Sequence, residues 1–383
     1  MSFDSTVSIV LPNFNGKQHL DACLRSLADL DYPKDKIRII IVDNGSVDGS
    51  VAYLRSAHRN VEVLENGENL GFSAACNLGA RLGRNSDIVV FLNNDMRVEK
   101  TFLSELVRPI IEKRADCTAA KILSWDGRTI DYAGGGMTFH GIGFQAGHGL
   151  LATDRAFQKE SETLFACGGA MAVSSDVFDK SGGFDEDYFA YYEDADLGWR
   201  LWILGYKILF IPASVCYHHH SATSKTFPQE QIRLLQVRNP LLTIIKNYGE
   251  QNAAPILASA LLLAARRGLD VGGIDVNAFR IEKTRSRATG GMREVFVRAQ
   301  RRLDRKVSIP KNAVADFVAM ADLGEMLPRI LAKRRTIQQN RKRADAEIVK
   351  LFKNPFWCVE PRETYQILQK TLEEFMKLKR IFE

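Results

Sequence analysis

The stretch VSIVLPNFNGKQHLDACLRSLADL, residues 7–30, opens with a short β-branched run that Pro12 and Asn13 end. It continues into a segment where Leu20, Cys23, Leu24 and Leu27 recur at helical spacing. That is one strand followed by one amphipathic helix, and the pattern then repeats. IRIIIVDNGS (37–46) reads as a strand, DGSVAYLRS (48–56) as a helix start and NVEVLEN (60–66) as a third strand. GFSAACNLGARLG (71–83) reads as a helix closed by Gly83, and SDIVVFLNND (86–95) as a fourth strand. Strands apolar on both faces and alternating with helices imply an α/β fold, a mostly parallel central sheet flanked by helices. In such sheets ligands gather beyond the carboxyl ends of the strands. Polar residues collect at those ends here: Asn13 and Asn15, Asp43 and Asn44, then Asn93, Asn94 and Asp95.

The middle third is richer in glycine. YAGGGMTFHGIGFQAGHG (132–149) reads as hairpins and loops, before a strand in TLFACGGAMAVSS (163–175). A helix follows in EDADLGWRLWILG (193–205), with Asp196 in i,i+4 reach of Arg200, and then a strand in KILFIPASVCYHH (207–219). From Glu230 onward the pattern is mainly helical, with candidate linkers at GLDVGG (268–273) and SIPKN (308–312). The expected organisation is a body over residues 1–250 and a basic helical extension over 251–383.

With 45% hydrophobic and 26% charged residues among 383, the composition is that of a folded protein. The net charge of +6 conceals an asymmetry, because the basic excess lies beyond residue 266 and leaves a mildly acidic body. Such a tail suits anionic lipid, nucleic acid or an acidic partner, and charge alone does not choose among them. The tail shows no nucleic-acid reading motif, so nucleic acid is not an expected partner. Six scattered cysteines without CxxC spacing read as free thiols in a reducing compartment. The first residues lack the basic and apolar regions of a signal peptide. The apolar run AAPILASALLLAA (253–265) is too short to span a bilayer as a simple helix.

Four polar clusters stand at strand ends or helix starts: Asp43, Asp95, Glu193 with Asp194, and His218 to His220. Neither GxxxxGK[ST] nor a GxGxxG after the first strand is present, so a diphosphate would have to be held another way. A divalent cation is the economical means, since it bridges carboxylate and phosphate without a glycine cradle.

SIVLPNFNG, IIIVDNGSVDGS, NGENLGFSAACNLG, VVFLNNDMRV, the long segment from FACGGAMAV through YYEDADLGWRLWILGYKILFIP, YHHHSATS and VRNPLLTIIKN, in that order, resemble family 2 of the inverting glycosyltransferases. The resemblance covers roughly residues 6–247 and implies the GT-A fold, a nucleoside-diphosphate sugar donor and Mn2+ or Mg2+. By position, Asp43 resembles the residue that bonds the nucleobase, and Pro12, Asn13 and Asn15 would line the nucleotide pocket. The two asparagines read equally as turn residues. NND takes the place of the family's DxD motif, with Asn93 where an acid is usual, Asn94 beside it and Asp95 as the metal ligand. His218 aligns with the family's metal-binding histidine, and His220 shares its side of an extended strand.

Inversion at an anomeric carbon is a single displacement in which a carboxylate takes the proton of the attacking hydroxyl. The resemblance puts that base at Asp194, with Glu193 orienting base or acceptor and Asp196 structural. Gly168 and Gly169 would let backbone pass close to donor or acceptor, Tyr191 and Tyr192 would floor the acceptor site, and Arg238 or Lys246 would stabilise the leaving diphosphate. The details look most like bacterial rhamnosyltransferases of cell-surface polysaccharide, with a UDP- or dTDP-linked donor, dTDP-L-rhamnose foremost, and a glycan or lipid-linked glycan acceptor. A saccharide-binding protein that keeps the fold without turnover is the alternative, prompted by Asn93. The expected location is cytoplasmic, at the inner face of the cytoplasmic membrane. Docking there would use the apolar helix ending in Arg266 and Arg267 and the basic runs 333–335 and 341–343.

Overall fold

The computed structural model describes residues 4–219, 227–274 and 311–383. Strand β1 (Val7–Asn13) pairs in parallel with β2 (Ile37–Asp43) on one side and β4 (Ile88–Leu92) on the other. β3 (Glu62–Glu65) extends the sheet beyond β2, also in parallel. The expected helices lie between them as α1 (Lys17–Ala28), α2 (Ser50–Ala57) and α3 (Gly71–Leu82). Small residues bring α3 onto the sheet: a Cβ on Gly79 would lie 2.3 Å from Val10 Cγ1. Gly83 ends α3 at a negative φ, so it is not a left-handed cap. A Cβ there would meet Ser8 Oγ at 2.6 Å, and close packing on β1 is what requires glycine.

Beyond β4 the sheet becomes mixed. β5 (Met96–Val98), α4 (Phe102–Ile111), β6 (Cys117–Ser124) and β7 (Ile130–Tyr132) follow in sequence. A small hairpin, β8 (Gly135–Met137) with β9 (Gly143–Gln145), occupies the glycine-rich segment. The chain then forms β10 (Ser161–Glu162), β11 (Ala170–Ser174), α5 (Ser175–Lys180), α6 (Glu193–Ile203) and β12 (Ile208–His218). The main order is β10-β12-β6-β11-β4-β1-β2-β3, with β11 antiparallel to both β4 and β6. This is a GT-A-like fold with a helical extension. β12 runs parallel to β6, and its end also pairs antiparallel with β5, where His218 stands opposite Met96. That register delivers the histidine beside Asp95, the residue before β5.

α7 (Gln229–Asn247) closes the body, and the extension runs through α8 (Glu250–Val271), α9 (Lys311–Gln339), α10 (Asp345–Ile348), α11 (Glu363–Phe375) and α12 (Lys379–Phe382). One continuous hydrophobic core runs from Val7 in β1 to Leu378 before α12, so extension and body share their interior. GLDVGG does not act as a linker at its start: α8 continues through Gly268, whose missing Cβ makes room for Asp316 of α9, 3.1 Å away. Most of SIPKN lies outside the described residues, and Lys311 begins α9.

The apolar run of α8 buries Ile256, Ala260, Leu263 and Ala264 in the protein. The basic runs are also largely engaged. Lys333 bonds Asp185 and Asp187, and Arg334 donates to the carbonyls of Ile245 and Tyr248. Arg341 pairs with Asp345, and Arg343 donates to the carbonyls of Gly205 and Tyr206. These charges are thus committed to carboxylates and helix-end carbonyls of the protein itself. No helix among the described residues is long and apolar enough to cross a membrane.

Candidate active site

A cavity of about 1150 Å3 opens at the carboxyl ends of β1 and β4, walled by the segment before α6, by α7 and by the β8–β9 hairpin. Its floor begins with a chain of amides. Asn94 Nδ2 donates to Asn13 Oδ1 at 2.6 Å, and Asn13 Nδ2 donates to Asp43 Oδ2 at 2.8 Å. The other Asp43 oxygen accepts from the Ser46 amide at 2.9 Å. Asp43 is 2% exposed and lies behind the wall, with Pro12, Asn13 and Asn44 in front. Asn15, at φ 51°, also stands off the wall, accepting from the Val47 amide at 2.9 Å to close the turn.

At the far side of Asn94, Asp95 Oδ2 lies 3.4 Å from His218 Nε2, while His218 Nδ1 lies 2.9 Å from Asp131 Oδ2. Burial works against protonation of this imidazole, but carboxylates on both ring nitrogens outweigh it and push His218 up to about 9. Fixing Nδ1 with a carboxylate turns Nε2 toward a shared ligand position, the arrangement common behind metal-bound histidine. The pair fits a borderline divalent cation by donor type, one imidazole nitrogen and one carboxylate. Among the described residues no group of three or more His, Cys, Asp or Glu could hold a metal, and Asp95 and His218 are the two donors they place here. His220 lies outside the described residues. Asn93 lines the cavity, and its amide donates to the Gly169 carbonyl at 2.9 Å.

Opposite stands the start of α6. Asp194 Oδ2 accepts from the Gly168 amide at 3.0 Å, and Oδ1 from the Ala195 amide at 2.7 Å. Burial raises the Asp194 pKa and these amides offset only part of the rise. Burial, with the Asp194 charge adding to it, holds Glu193 well above the carboxylate range, and its Oε2 has no hydrogen-bond partner among the described residues. A Cβ on Gly168 would lie 3.1 Å from the Phe72 ring, and one on Gly169 would lie 2.8 Å from Asn93 Nδ2. Both glycines line the cavity, and a side chain at either would crowd a neighbouring wall residue.

Asp196, by contrast, is fully buried and faces away. It bonds Arg200 at 2.8 Å as expected, Lys246 at 2.9 Å and Asn247 at 3.0 Å. Lys246, 1% exposed, is held between Asp196 and Asp185, so it is not presented to the cavity. Arg238 does reach the wall, with its guanidinium on Asp322 at 2.6 Å and on the Asp187 carbonyl at 3.0 Å. Tyr191 and Tyr192 line the cavity with φ of 68° and 70°, and Phe189 before them is at 60°. Three side-chain-bearing residues in the left-handed region need external support. Asn239 of α7 provides it, its Nδ2 lying within 3.0 Å of the carbonyls of Tyr188, Ala190 and Tyr191.

Three contributors were not foreseen: Asp131 behind His218, Asn239 behind the tyrosines, and Trp357 of the extension on the cavity wall. Asn239 sat next to Arg238 in a quoted motif. The other two carry no local pattern that marks them.

Residues 8–182 match the sequence model described as glycosyl transferase family 2. The chain is 29% identical over 233 residues to an uncharacterised protein of Sinorhizobium fredii, covering 57% of this chain and 25% of that protein. It is 26% identical over 246 residues to an N-acetylglucosaminyl-diphospho-decaprenol L-rhamnosyltransferase of Mycobacterium tuberculosis, covering 58% of this chain and 79% of that protein. Among solved structures, that of GalNAc-T7 with UDP, GalNAc and Mn2+ superposes with a TM-score of 0.55 at 18% identity, covering 69% of this chain and 51% of that one.

Proposed function

We propose that the chain, whose residues 8–182 match the glycosyl transferase family 2 model, is an inverting transferase that moves a sugar from a nucleoside diphosphate to a saccharide hydroxyl. The observation that carries this reading is the placing of the Asp194 carboxylate across one cavity from Asp95 and His218. The acceptor oxygen attacks the anomeric carbon and its proton passes to Asp194. A carbon–oxygen bond forms as the bond to the diphosphate oxygen breaks, and the nucleoside diphosphate leaves with that electron pair. Glu193, whose burial beside the Asp194 charge favours its neutral form and whose Oε2 has no hydrogen-bond partner among the described residues, orients the acceptor. Tyr191 and Tyr192 shape the acceptor side; Pro12, Asn13 and Asn94 hold the nucleotide side, with Asp43 and Asn15 setting the turn behind them. Asn93, Gly168 and Gly169 border the donor sugar, and Arg238 faces the diphosphate.

Asp95 and His218 would hold Mn2+ or Mg2+, which when bound supplies positive charge to the leaving diphosphate. The donor is UDP- or dTDP-linked. The name of the mycobacterial relative supports L-rhamnose as the sugar and a lipid-linked saccharide as the acceptor; a dTDP-linked donor and a cytoplasmic place at the inner membrane face complete the reading. Residues 251–383 buttress the acceptor side of the cavity, and membrane contact falls to the surface charges left unpaired. Mass-spectrometric screening of nucleotide sugars with Mn2+ tests the reading, with slow hydrolysis of one donor expected. If no nucleotide sugar is bound or cleaved, the chain is a saccharide-binding protein on the same fold.

A further inference from the structure

Trp357 is 44% exposed and lines the cavity, although it comes from the extension, far along the chain from every other wall residue. The segment that carries it is firmly held. Phe352 is fully buried against Trp199 and Tyr248, and Phe356 packs on Phe139 and Phe382. The Pro355 carbonyl accepts from the Phe139 amide at 2.7 Å, and the Phe356 carbonyl accepts from Gln369 Nε2 at 3.1 Å. Directly after these two anchored phenylalanines, and with its own amide donating to the Asn354 carbonyl at 3.1 Å, Trp357 presents its indole on the wall as an apolar surface. It meets the Phe144 ring edge to face, with centroids 5.5 Å apart. Phe144 is fixed in turn because Gly136, whose Cβ would fall 2.5 Å from it, leaves it room.

The two rings lie close to the reaction side of the cavity. Gly143, next to Phe144, is near enough to Tyr192 that a Cβ on it would be 3.5 Å from Tyr192 Cε1. Tyr192 directly precedes Glu193 and Asp194. Gln145, exposed beside Phe144, adds an amide at the rim. A fixed aromatic face bordered by a neutral amide suits a pyranose ring, whose axial C–H groups pack on the π face while its hydroxyls take hydrogen bonds from the edge. A purely lipidic acceptor would leave the amide without a hydrogen-bond partner.

We propose that Trp357 and Phe144 form a saccharide subsite on the acceptor side, so that the acceptor presents a sugar ring to this wall rather than a lipid or protein hydroxyl alone. The inference deepens the transfer reading above and rests on it for the assignment to the acceptor. The test uses the full-length protein, 15N-labelled at tryptophan, with the Trp357 indole resonance identified from W357F. Methyl glycosides of the gluco, galacto, manno, rhamno and N-acetylglucosamino series are titrated into wild type, W357A and W357F. At least one series is expected to shift that resonance in the wild type, to bind W357A roughly tenfold more weakly and to be recovered largely by W357F. Equal affinity for W357A, or an unmoved Trp357 resonance across the whole panel, overturns the subsite. UDP and dTDP with Mn2+ are titrated in parallel. Nucleotide binding with an unmoved Trp357 removes the subsite and leaves the transfer reading. Saccharide binding at Trp357 without nucleotide binding keeps the subsite and removes its assignment to a transfer reaction.

Discussion

Asp194 Oδ2 accepts a 3.0 Å hydrogen bond from the Gly168 amide, tying the first turn of α6 to the backbone leading into β11. The bond fixes one carboxylate oxygen and, with the Ala195 amide on the other, sets the plane of the group at the cavity wall. Asp194→Asn keeps the size of the side chain but removes its capacity to take a proton. Transfer should fall by roughly 10²- to 10⁴-fold while donor binding is nearly unchanged. Wild-type turnover by this variant with a competent acceptor would exclude Asp194 as the base.

The pH profile follows from the same group. Burial raises the Asp194 pKa, so the base becomes protonated at a higher pH than an exposed aspartate, for which the value is about 3.9. Only the ionised form accepts the proton. The rate under kcat/KM conditions should therefore rise with pH through an acid limb displaced upward from that value. Gly168→Pro, which removes one stabilising amide, should move the limb further up if the fold survives. Gly168→Ala, which keeps the amide, controls for crowding against Phe72. An acid limb at the ordinary aspartate value, unchanged in both variants, would separate the rate from this carboxylate.

How far the sequence reaches is clear from particular residues. The βα repeats around Val7–Asn13 and Ile37–Asp43 were legible because both strands are buried along most of their length, and such strands carry a strong apolar signal. Asp196 with Arg200 was legible because helical spacing alone makes them neighbours. Lys246 was not: its partner Asp185 is 61 residues away, and only packing of α7 against the segment between α5 and α6 joins them. Asp131 and Trp357 stayed hidden for the same reason. Each acts through contacts of long sequence separation, and neither stands in a periodic run or turn motif. The internal pairing of Arg334, Arg341 and Arg343 was equally out of reach, because a charge count does not see the carbonyls that consume it.

Asp131 gives a separable test of the cation site. It touches His218 and orients it, so Asp131→Asn should raise the Mn2+ concentration needed for half-maximal transfer by roughly 10- to 100-fold while saturating Mn2+ restores most of the rate. Asp95→Ala and His218→Ala remove donors themselves and should not be fully restored. Chelation with EDTA should abolish transfer, and Mn2+ or Mg2+ should bring it back. Full activity in excess chelator would reject cation assistance and leave the Asp95–His218 pair as a plain ion pair. Calorimetric titration of Mn2+ with UDP present provides a readout independent of turnover.

The last prediction concerns stability and rests on Lys246. Its ammonium lies 2.5 Å from Asp185 and 2.9 Å from Asp196, with Arg200 on Asp196 and Lys333 on Asp185 completing a buried network. Lys246→Met leaves two buried carboxylates short of a counter-charge. The loss should be about 3–5 kcal/mol, the range found when one partner of a buried pair is removed. Burial is the largest single influence and raises both acids, but Lys246 and Lys333 together at Asp185, and Lys246 and Arg200 together at Asp196, outweigh it, and both pKa values are lowered. Acids lowered in the folded state stabilise it above their unfolded pKa of about 3.9, and that contribution is lost as the pH falls through the folded values. Urea unfolding of the wild type should therefore show this contribution intact from neutral pH down to about 5 and declining below about 4. In Lys246→Met the acid-side decline should be shallower and start from a lower plateau. Lys246→Met combined with Asp185→Asn should recover part of the loss, because one orphaned charge is removed with its partner. An unchanged urea midpoint in Lys246→Met, or a double variant weaker than the single one by the full additive amount, would show that the network does not couple these groups.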